Sequence, residues 1–488
     1  MTLFDLGPFL DRRQRFAEAI GDGLAIIPGA QEVPRNGDVL YEFRQSSDFF
    51  FLTGFDEPDA VAVFNPQHAK ERVVLFVRPR DREAEVWTGR RAGVEGAVAT
   101  YGADAAYPIA QLDEKLREYL LERPTLYYRL GHPVHDARIT RLIAELRSAR
   151  ARGYPTPTRI EDPGPLLHEM RLRRSPAELG WQRRACAISR EAHAEAMRVA
   201  RPGVWEYQLQ AALEFVFRAH GSPRNAYPSI VASGPNACIL HYHENSRRLE
   251  SGDLVLIDAG CEYGYHASDI TRTFPASGRF TPPQRSIYEL VLGAQRAALE
   301  AARPGRRLEA VHEAARRVLT EGLVALGLLP RRVEDSLAMH HYREFYIHGT
   351  SHWLGMDVHD VGDYRAGGKS RILEPGMVFT IEPGLYVDPE RDTATFYLRE
   401  YDEHEMWERR HRLGAAAARR LEEEEKARAG TIVHPVPREF RGIGVRIEDD
   451  VLVTADGCEV LTAGTPKTVE EIERVCAEAP RYTLRSLP

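Results

Sequence analysis

At 488 residues, with 43% hydrophobic and 28% charged side chains, the chain has an ordinary globular composition and room for two or three domains. A net charge of -7, with no basic cluster, excludes a general binder of nucleic acid or of anionic membranes. The 5 cysteines (186, 238, 261, 458 and 476) form no Cys-x-x-Cys pair, which excludes a disulfide scaffold and a zinc–thiolate centre and points to a reducing compartment.

The N-terminal stretch MTLFDLGPFLDRRQRF carries an acid at Asp5 and no basic region before its apolar residues, so it does not read as a signal peptide. No stretch approaches the ~18–20 apolar residues of a membrane span. The expected location is the cytoplasm. DRRQRFAEAI predicts a helix and GLAIIPG a buried strand, while FFFLTGF and AVAVFNP read as further strands. RVVLFVR and AEVWTG flank a polar turn and predict a hairpin; LDEKLREYLLER and ARITRLIAELRSARAR predict amphipathic helices. These elements make a smaller N-terminal α/β domain over residues 1–172, ending in the Pro- and Gly-rich linker ARGYPTPTRIEDPGP.

A second domain, residues 173–488, opens at a strong helix start. Ser175 is the expected N-cap, Pro176 sits at the first helical position and Glu178 completes a capping box. AISREAHAEAMRVARPG followed by VWEYQLQAALEFVFRAHG predicts a helix pair, and YELVLGAQRAALEAARPG followed by RRLEAVHEAARRVL repeats the plan. Strand-rich sequence follows each pair. Either this is an α/β (α+β) domain with an internal pseudo-twofold, or Ala-Arg-Pro-Gly is a helix stop used twice. Between about Asp388 and Arg441 the chain becomes highly charged. There Glu422 and Lys426, like Arg419 and Glu423, are one helical turn apart, which predicts a solvated helical surface insertion.

The residues with chemistry cluster in this second domain. The run Leu254 to Asp258 is a buried strand ending in a carboxylate, and after a Gly-containing turn His266 to Phe274 returns with Asp269. A hairpin of that shape brings the two acids together across the sheet. Glu382 ends a third apolar strand and Glu448 precedes a fourth, while His348, His352 and His359 lie in a Gly-punctuated segment that cannot be one helix. Acids so placed repel each other unless a proton or cation lies between them. An oxygen-rich set with one imidazole suits a pair of divalent metal ions, Mn2+ above all, with Zn2+ or Co2+ as alternatives. The chemistry implied is hydrolysis of an acyl or phosphoryl centre.

These stretches resemble a known family. ILHY (239–242), LVLIDAGCEYGYHASDITRTFP, HGTSHWLGMDVHDVG, LEPGMVFTIEPGLY and GIGVRIEDD are similar to the motifs of the proline-specific metallopeptidases of the pita-bread (creatinase/aminopeptidase-like) fold, the aminopeptidase P group in particular. YEFRQSSDFFFLTGFDEPDAVAVF resembles that group's N-terminal domain. The resemblance implies that Asp258 chelates one metal, that Asp269 and Glu448 bridge two, and that His352 and Glu382 complete the second. It implies further that a metal-bridging hydroxide attacks the bond between an N-terminal residue and a following proline, with Glu382 shuttling the proton. His241, His348 and His359 match histidines that position the substrate and its carbonyl. Arg446 and Tyr386 match an arginine and a tyrosine of the leaving side. Trp87 matches a tryptophan that reaches a neighbouring subunit, so a homodimer or homotetramer is expected. His243, His340, His341 and His404 match nothing and read as surface or structural residues.

Two rivals remain at this point. A prolidase would cut only the dipeptide, and the insertion leaves access and substrate length open. A non-catalytic binding protein on the same fold lacks the ligand set, whereas every ligand position here holds a competent residue.

Overall fold

The computed structural model describes residues 5–398, 409–410 and 412–482, and the chain divides into two compact units, Met1–Arg171 and Leu172–Pro488. In the first unit a 6-stranded sheet runs in the order Ala105–Pro108, Val73–Val77, Val61–Phe64, Leu24–Pro28, Thr125–Tyr127, Arg159–Glu161. Neighbours are antiparallel through the middle and parallel towards both edges. Ile26, Val63 and Phe76 bury one face against Leu116, Leu120 and Leu142 of the helices Leu112–Leu120 and Pro133–Ala151.

Three expectations change here. FFFLTGF is the helix Ser47–Thr53, closed by Gly54 at φ 66. A continuous apolar run fits a buried helix as well as a buried strand, and all three rings are buried, Phe49 against Phe55, Phe50 against Phe9 and Phe51 under the Arg12 guanidinium. AEVWTG lies in the helix Arg82–Thr88, because the Asp81 side chain accepts from the backbone N–H groups of Glu83 and Ala84 and so starts a helix where a hairpin strand was expected. The Pro- and Gly-rich linker contains the sheet's edge strand, Arg159–Glu161.

The second unit repeats one plan. The helices Pro176–Val199 and Glu206–Ala219 precede the antiparallel sheet Ile230–Ser233, Leu254–Asp258, Thr271–Pro275. The helices Pro282–Ala301 and Glu309–Ala325 precede the antiparallel sheet Val378–Ile381, Asp449–Val453, Cys458–Val460. Each pair turns at Ala-Arg-Pro-Gly, where Gly203 (φ 96) and Gly305 (φ 82) take a left-handed conformation that a side chain would strain. The helices cover the sheets through one continuous apolar core. The sheets meet at a bridge between Thr271 and Glu448, and the short pair Gly384–Tyr386 with Gly444–Arg446 lies beside it.

The charged insertion is more than a solvated helix. The helix Ala415–Ala429 is exposed along most of its length, held by Arg409–Glu425 and Arg410–Glu422 ion pairs. Before and after it, Thr393–Tyr397 and Thr431–Pro435 form an antiparallel strand pair that buries Ala394 and Phe396. Of the two roles expected for His341, surface or structural, it takes the structural one: it is 3% exposed, and its Nε2 meets the Tyr397 carbonyl at 2.7 Å, pinning that strand pair. His404 lies outside the described residues.

Candidate active site

Strand ends bring the acids together. Asp258 closes its strand opposite Thr271, and Asp269 lies in the link just before that residue. The link folds back so tightly that a Cβ on Gly260 would fall 1.7 Å from the Ser268 carbonyl oxygen, which only glycine permits. Backbone bonds from Glu382 N to the Thr350 carbonyl and from Thr380 N to the His352 carbonyl, at 2.8 and 2.9 Å, then lay His352 beside Glu382. The Thr271–Glu448 bridge adds the fourth acid.

The side chains converge. His352 Nε2 lies 3.4 Å from Asp269, 3.8 Å from Glu382 and 4.0 Å from Glu448. Its Nδ1 donates to the Trp353 carbonyl at 3.0 Å, which turns Nε2 towards the acids. Donor atoms of Asp269, His352 and Glu448 all lie within 4.8 Å of one another, a spacing that suits a metal ion. Asp258 joins through Arg446, whose Nη2 donates to it at 2.6 Å. The four acids, His352, His241, His348, His359 and Arg446 line one cavity of about 380 Å³, and Tyr386 stands behind it, bonded to His348 and Arg446.

Two members were not foreseen. The Tyr227 hydroxyl sits 2.6 Å from Asp258 and 2.5 Å from Asp269. No spacing in the sequence ties Tyr227 to acids 31 and 42 residues away. His243 also lines the cavity, its ring stacked 6.3 Å from that of His241, so it belongs to the site and not to an unrelated surface.

Charge in this cavity is out of balance. Burial, and then the neighbouring acids, hold the carboxyl of Glu448 well above its ordinary value. Burial raises Asp258 against the opposing pull of Arg446, and raises Glu382 to about 7 against that of His352. For His352, burial is overcome by Asp269 and Glu382, which lift it to about 9. A single hydroxyl hydrogen on Tyr227 cannot satisfy two carboxylates, so the second contact calls for a proton or a cation. The donor set therefore fits divalent cations: hard oxygen ligands, one imidazole and an excess of negative charge.

His348 holds a different position. Burial, and then Arg446, lower it to about 3, so the ring is neutral. Its Nδ1 must donate to the Gly349 carbonyl at 2.7 Å, and Nε2 then accepts from the Tyr386 hydroxyl at 2.8 Å. Arg446 Nη1 donates to the same hydroxyl at 2.9 Å. With both nitrogens engaged, His348 orients Tyr386 and has no N–H for a reacting carbonyl. His359 stands with its ring 4.5 Å from that of His352.

Residues 181–455 match the model of metallopeptidase family M24, and residues 9–127 match that of the aminopeptidase P N-terminal domain. The chain is 40% identical over 474 residues to Xaa-Pro aminopeptidase of Escherichia coli, covering 96% of this chain and 98% of that protein. Against human Xaa-Pro aminopeptidase 3 the identity is 34%, over 91% of this chain and 79% of the relative. The solved structure of Pseudomonas aeruginosa aminopeptidase PepP superposes with a TM-score of 0.87 at 46% identity, covering 98% of this chain and 99% of that one.

Proposed function

The chain belongs to metallopeptidase family M24 and is a metalloaminopeptidase of mixed α/β pita-bread architecture; from that premise we propose that it removes the N-terminal residue preceding a proline, using two divalent cations. The observation that carries this reading is the crowding of Asp258, Asp269, Glu382 and Glu448 with His352 around one cavity. On this reading Asp258 would help to hold one ion, His352 and Glu382 the other, and Asp269 and Glu448 would serve both. Bound there, the cations, Mn2+ before Zn2+ or Co2+, supply Lewis-acid polarisation and a hydroxide nucleophile at neutral pH.

The chain's own residues do the rest. An Xaa-Pro bond is a tertiary amide with no N–H to hold, so recognition falls on the carbonyl and on the pyrrolidine ring. Of the three histidines matched to substrate positioning, His359 and His241 are left to donate to that carbonyl, because both nitrogens of His348 are engaged. Glu382 lies with Oε2 3.6 Å from His348 and carries the proton to the leaving proline nitrogen. Arg446 and His348 together lock the Tyr386 hydroxyl beside that leaving side. The reading places the enzyme in the cytoplasm as a homodimer or homotetramer.

The deciding experiment assays chelated protein on an Xaa-Pro-Xaa tripeptide, an Xaa-Pro dipeptide and an Xaa-Ala-Xaa control, before and after adding Mn2+. Turnover of the tripeptide, absent after chelation and restored by the ion, is expected. Cleavage of the dipeptide alone makes the protein a prolidase. Turnover that ignores chelation removes the metal reading altogether.

A further inference from the structure

A cavity of about 510 Å³ adjoins the catalytic one, and His348 lines both. One wall is the segment from Met339 to Gly349; the other is Thr395, Phe396 and Tyr397 of the inserted strand pair. That wall is anchored at several points. His341 bonds the Tyr397 carbonyl, its ring packs 5.1 Å from Phe396, and His434 on the partner strand meets the Gly327 carbonyl at 2.9 Å. The first wall turns through His340 at φ 53, a left-handed conformation that is costly for a residue with a side chain and recurs at ligand clamps.

The lining is aromatic and mostly uncharged. Tyr342, Tyr346 and Phe396 present rings, Met339 and Ile347 add aliphatic surface, and burial keeps His312 and His341 neutral. The polar atoms are largely spent within the wall: Thr350 Oγ1 meets both His312 Nδ1 and the Tyr346 hydroxyl, at 2.7 and 2.6 Å. The exception is His341 Nδ1, a buried atom with no partner, whose lone pair is an acceptor because Nε2 carries the hydrogen. Tyr346, edge-on to His348 at 5.1 Å, joins this cavity to the catalytic one.

Substrate polarity decides what enters. An aminopeptidase holds one residue on the amine side of the scissile bond, so every further residue of the peptide lies on the carboxyl side. This cavity is reached past His348, which holds Tyr386 on the leaving side, so it serves the downstream chain, whose residues advance by roughly 3.3–3.6 Å each when extended. We propose that the strand pair inserted between Asp388 and Arg441 completes a subsite for an apolar, and best an aromatic, side chain of a substrate residue downstream of the proline. The insertion thus makes the enzyme a selective processor of longer peptides, where a shorter connection would leave that side open.

This inference rests on the aminopeptidase reading, and the test separates the two. Wild-type protein is assayed on Xaa-Pro-Ala and on Xaa-Pro-Ala-Phe, Xaa-Pro-Phe and Xaa-Pro-Ala-Gly, beside Thr395→Trp and Met339→Trp, which fill the cavity from its two walls. Both variants are checked for an unchanged thermal unfolding midpoint. The expected result is a kcat/KM about tenfold higher for one Phe-bearing peptide than for its Gly or Ala counterpart, a preference of the size an apolar pocket gives. Both Trp variants erase that preference and leave Xaa-Pro-Ala within about twofold of wild type. A wild-type enzyme indifferent to Phe, or a preference that survives both substitutions, overturns the subsite. Failure of every proline peptide would instead refute the aminopeptidase reading, and calorimetric titration with the Phe-bearing peptide would still report whether the cavity binds it.

Discussion

Glu448 and Asp449 are consecutive buried acids with opposite surroundings. Asp449 accepts from Arg272 at 2.7 Å, Lys467 at 2.6 Å, Gln295 at 2.5 Å and Thr462 at 2.8 Å. Burial alone would raise its carboxyl, but the two cations hold it down at about 2. Glu448 turns the other way, accepts one hydroxyl hydrogen from Thr271 at 2.6 Å, and faces Asp269, Glu382 and Asp258, which keep its carboxyl high. One step along the chain separates a carboxylate neutralised by the protein from one left for something else to neutralise. The lesson is that burial of acids does not mark a functional site; burial without sufficient counter-charge does.

Substitution on each side should break the contrast in opposite senses. Asp269→Ala removes one of the crowded acids, so kcat/KM on a proline tripeptide is expected to fall more than about 10³-fold, a loss of roughly 4 kcal/mol of transition-state stabilisation. In the chelated state the variant should unfold at a higher urea concentration than wild type, because a source of repulsion is gone. Asp449→Ala leaves Arg272, 1% exposed, without its partner, and should cost about 3–5 kcal/mol of stability. A urea midpoint lowered by Asp269→Ala, or untouched by Asp449→Ala, would show that the two acids are not the opposites described.

The contrast was only half legible in the sequence. Asp258, Asp269, Glu382 and Glu448 were readable because each follows or precedes an apolar strand, and strand ends project side chains into whatever space the sheets leave. Nothing local distinguishes Asp449 from Glu448; their difference is set by Arg272 and Lys467, which arrive from distant elements. The same distance hid Tyr227, and also His341, whose burial depends on the inserted strand Thr393–Tyr397. That strand pairs with Thr431–Pro435 across a charged helix, a non-local pairing that a scan for short hairpins passes over. In the first unit, Phe49 to Phe51 misled for another reason: an unbroken apolar run has no period to read.

Titration sharpens the comparison at a scale of a few kcal/mol. In the chelated protein Glu382 is raised from an ordinary 4.5 to about 7, so the folded state keeps its proton longer than the unfolded chain does. Its contribution is complete below pH 4.5 and is lost as the pH climbs to 7, a change on the order of 3 kcal/mol. His352, raised from 6.5 to about 9, contributes fully below pH 6.5 and loses its contribution as the pH passes 9. Both slopes have one sign. Buried neutral histidines such as His348 and His312 slope the other way in both states, so it is the stabilisation given by a saturating divalent cation, which takes the place of those protons, that should grow from pH 5 to pH 9. Urea midpoints with and without Mn2+ measure this directly; parallel curves would mean that the ion binds elsewhere.

The smallest effect tests the hydroxyl between Asp258 and Asp269. Tyr227→Phe keeps the ring and removes the one hydrogen the two carboxylates share. Without cations, that hydrogen is part of what relieves their repulsion, so the chelated variant should lose about 1–2 kcal/mol. With cations bound the acids are neutralised by the ions, and the loss should shrink to a few tenths of a kcal/mol on the same scale. What then remains is the orienting role of a residue that bonds to metal ligands, and ion affinity should fall about tenfold. A purely packing role predicts equal losses in both states and no change in affinity. The difference between the two unfolding experiments, more than the size of either, assigns Tyr227 to the site.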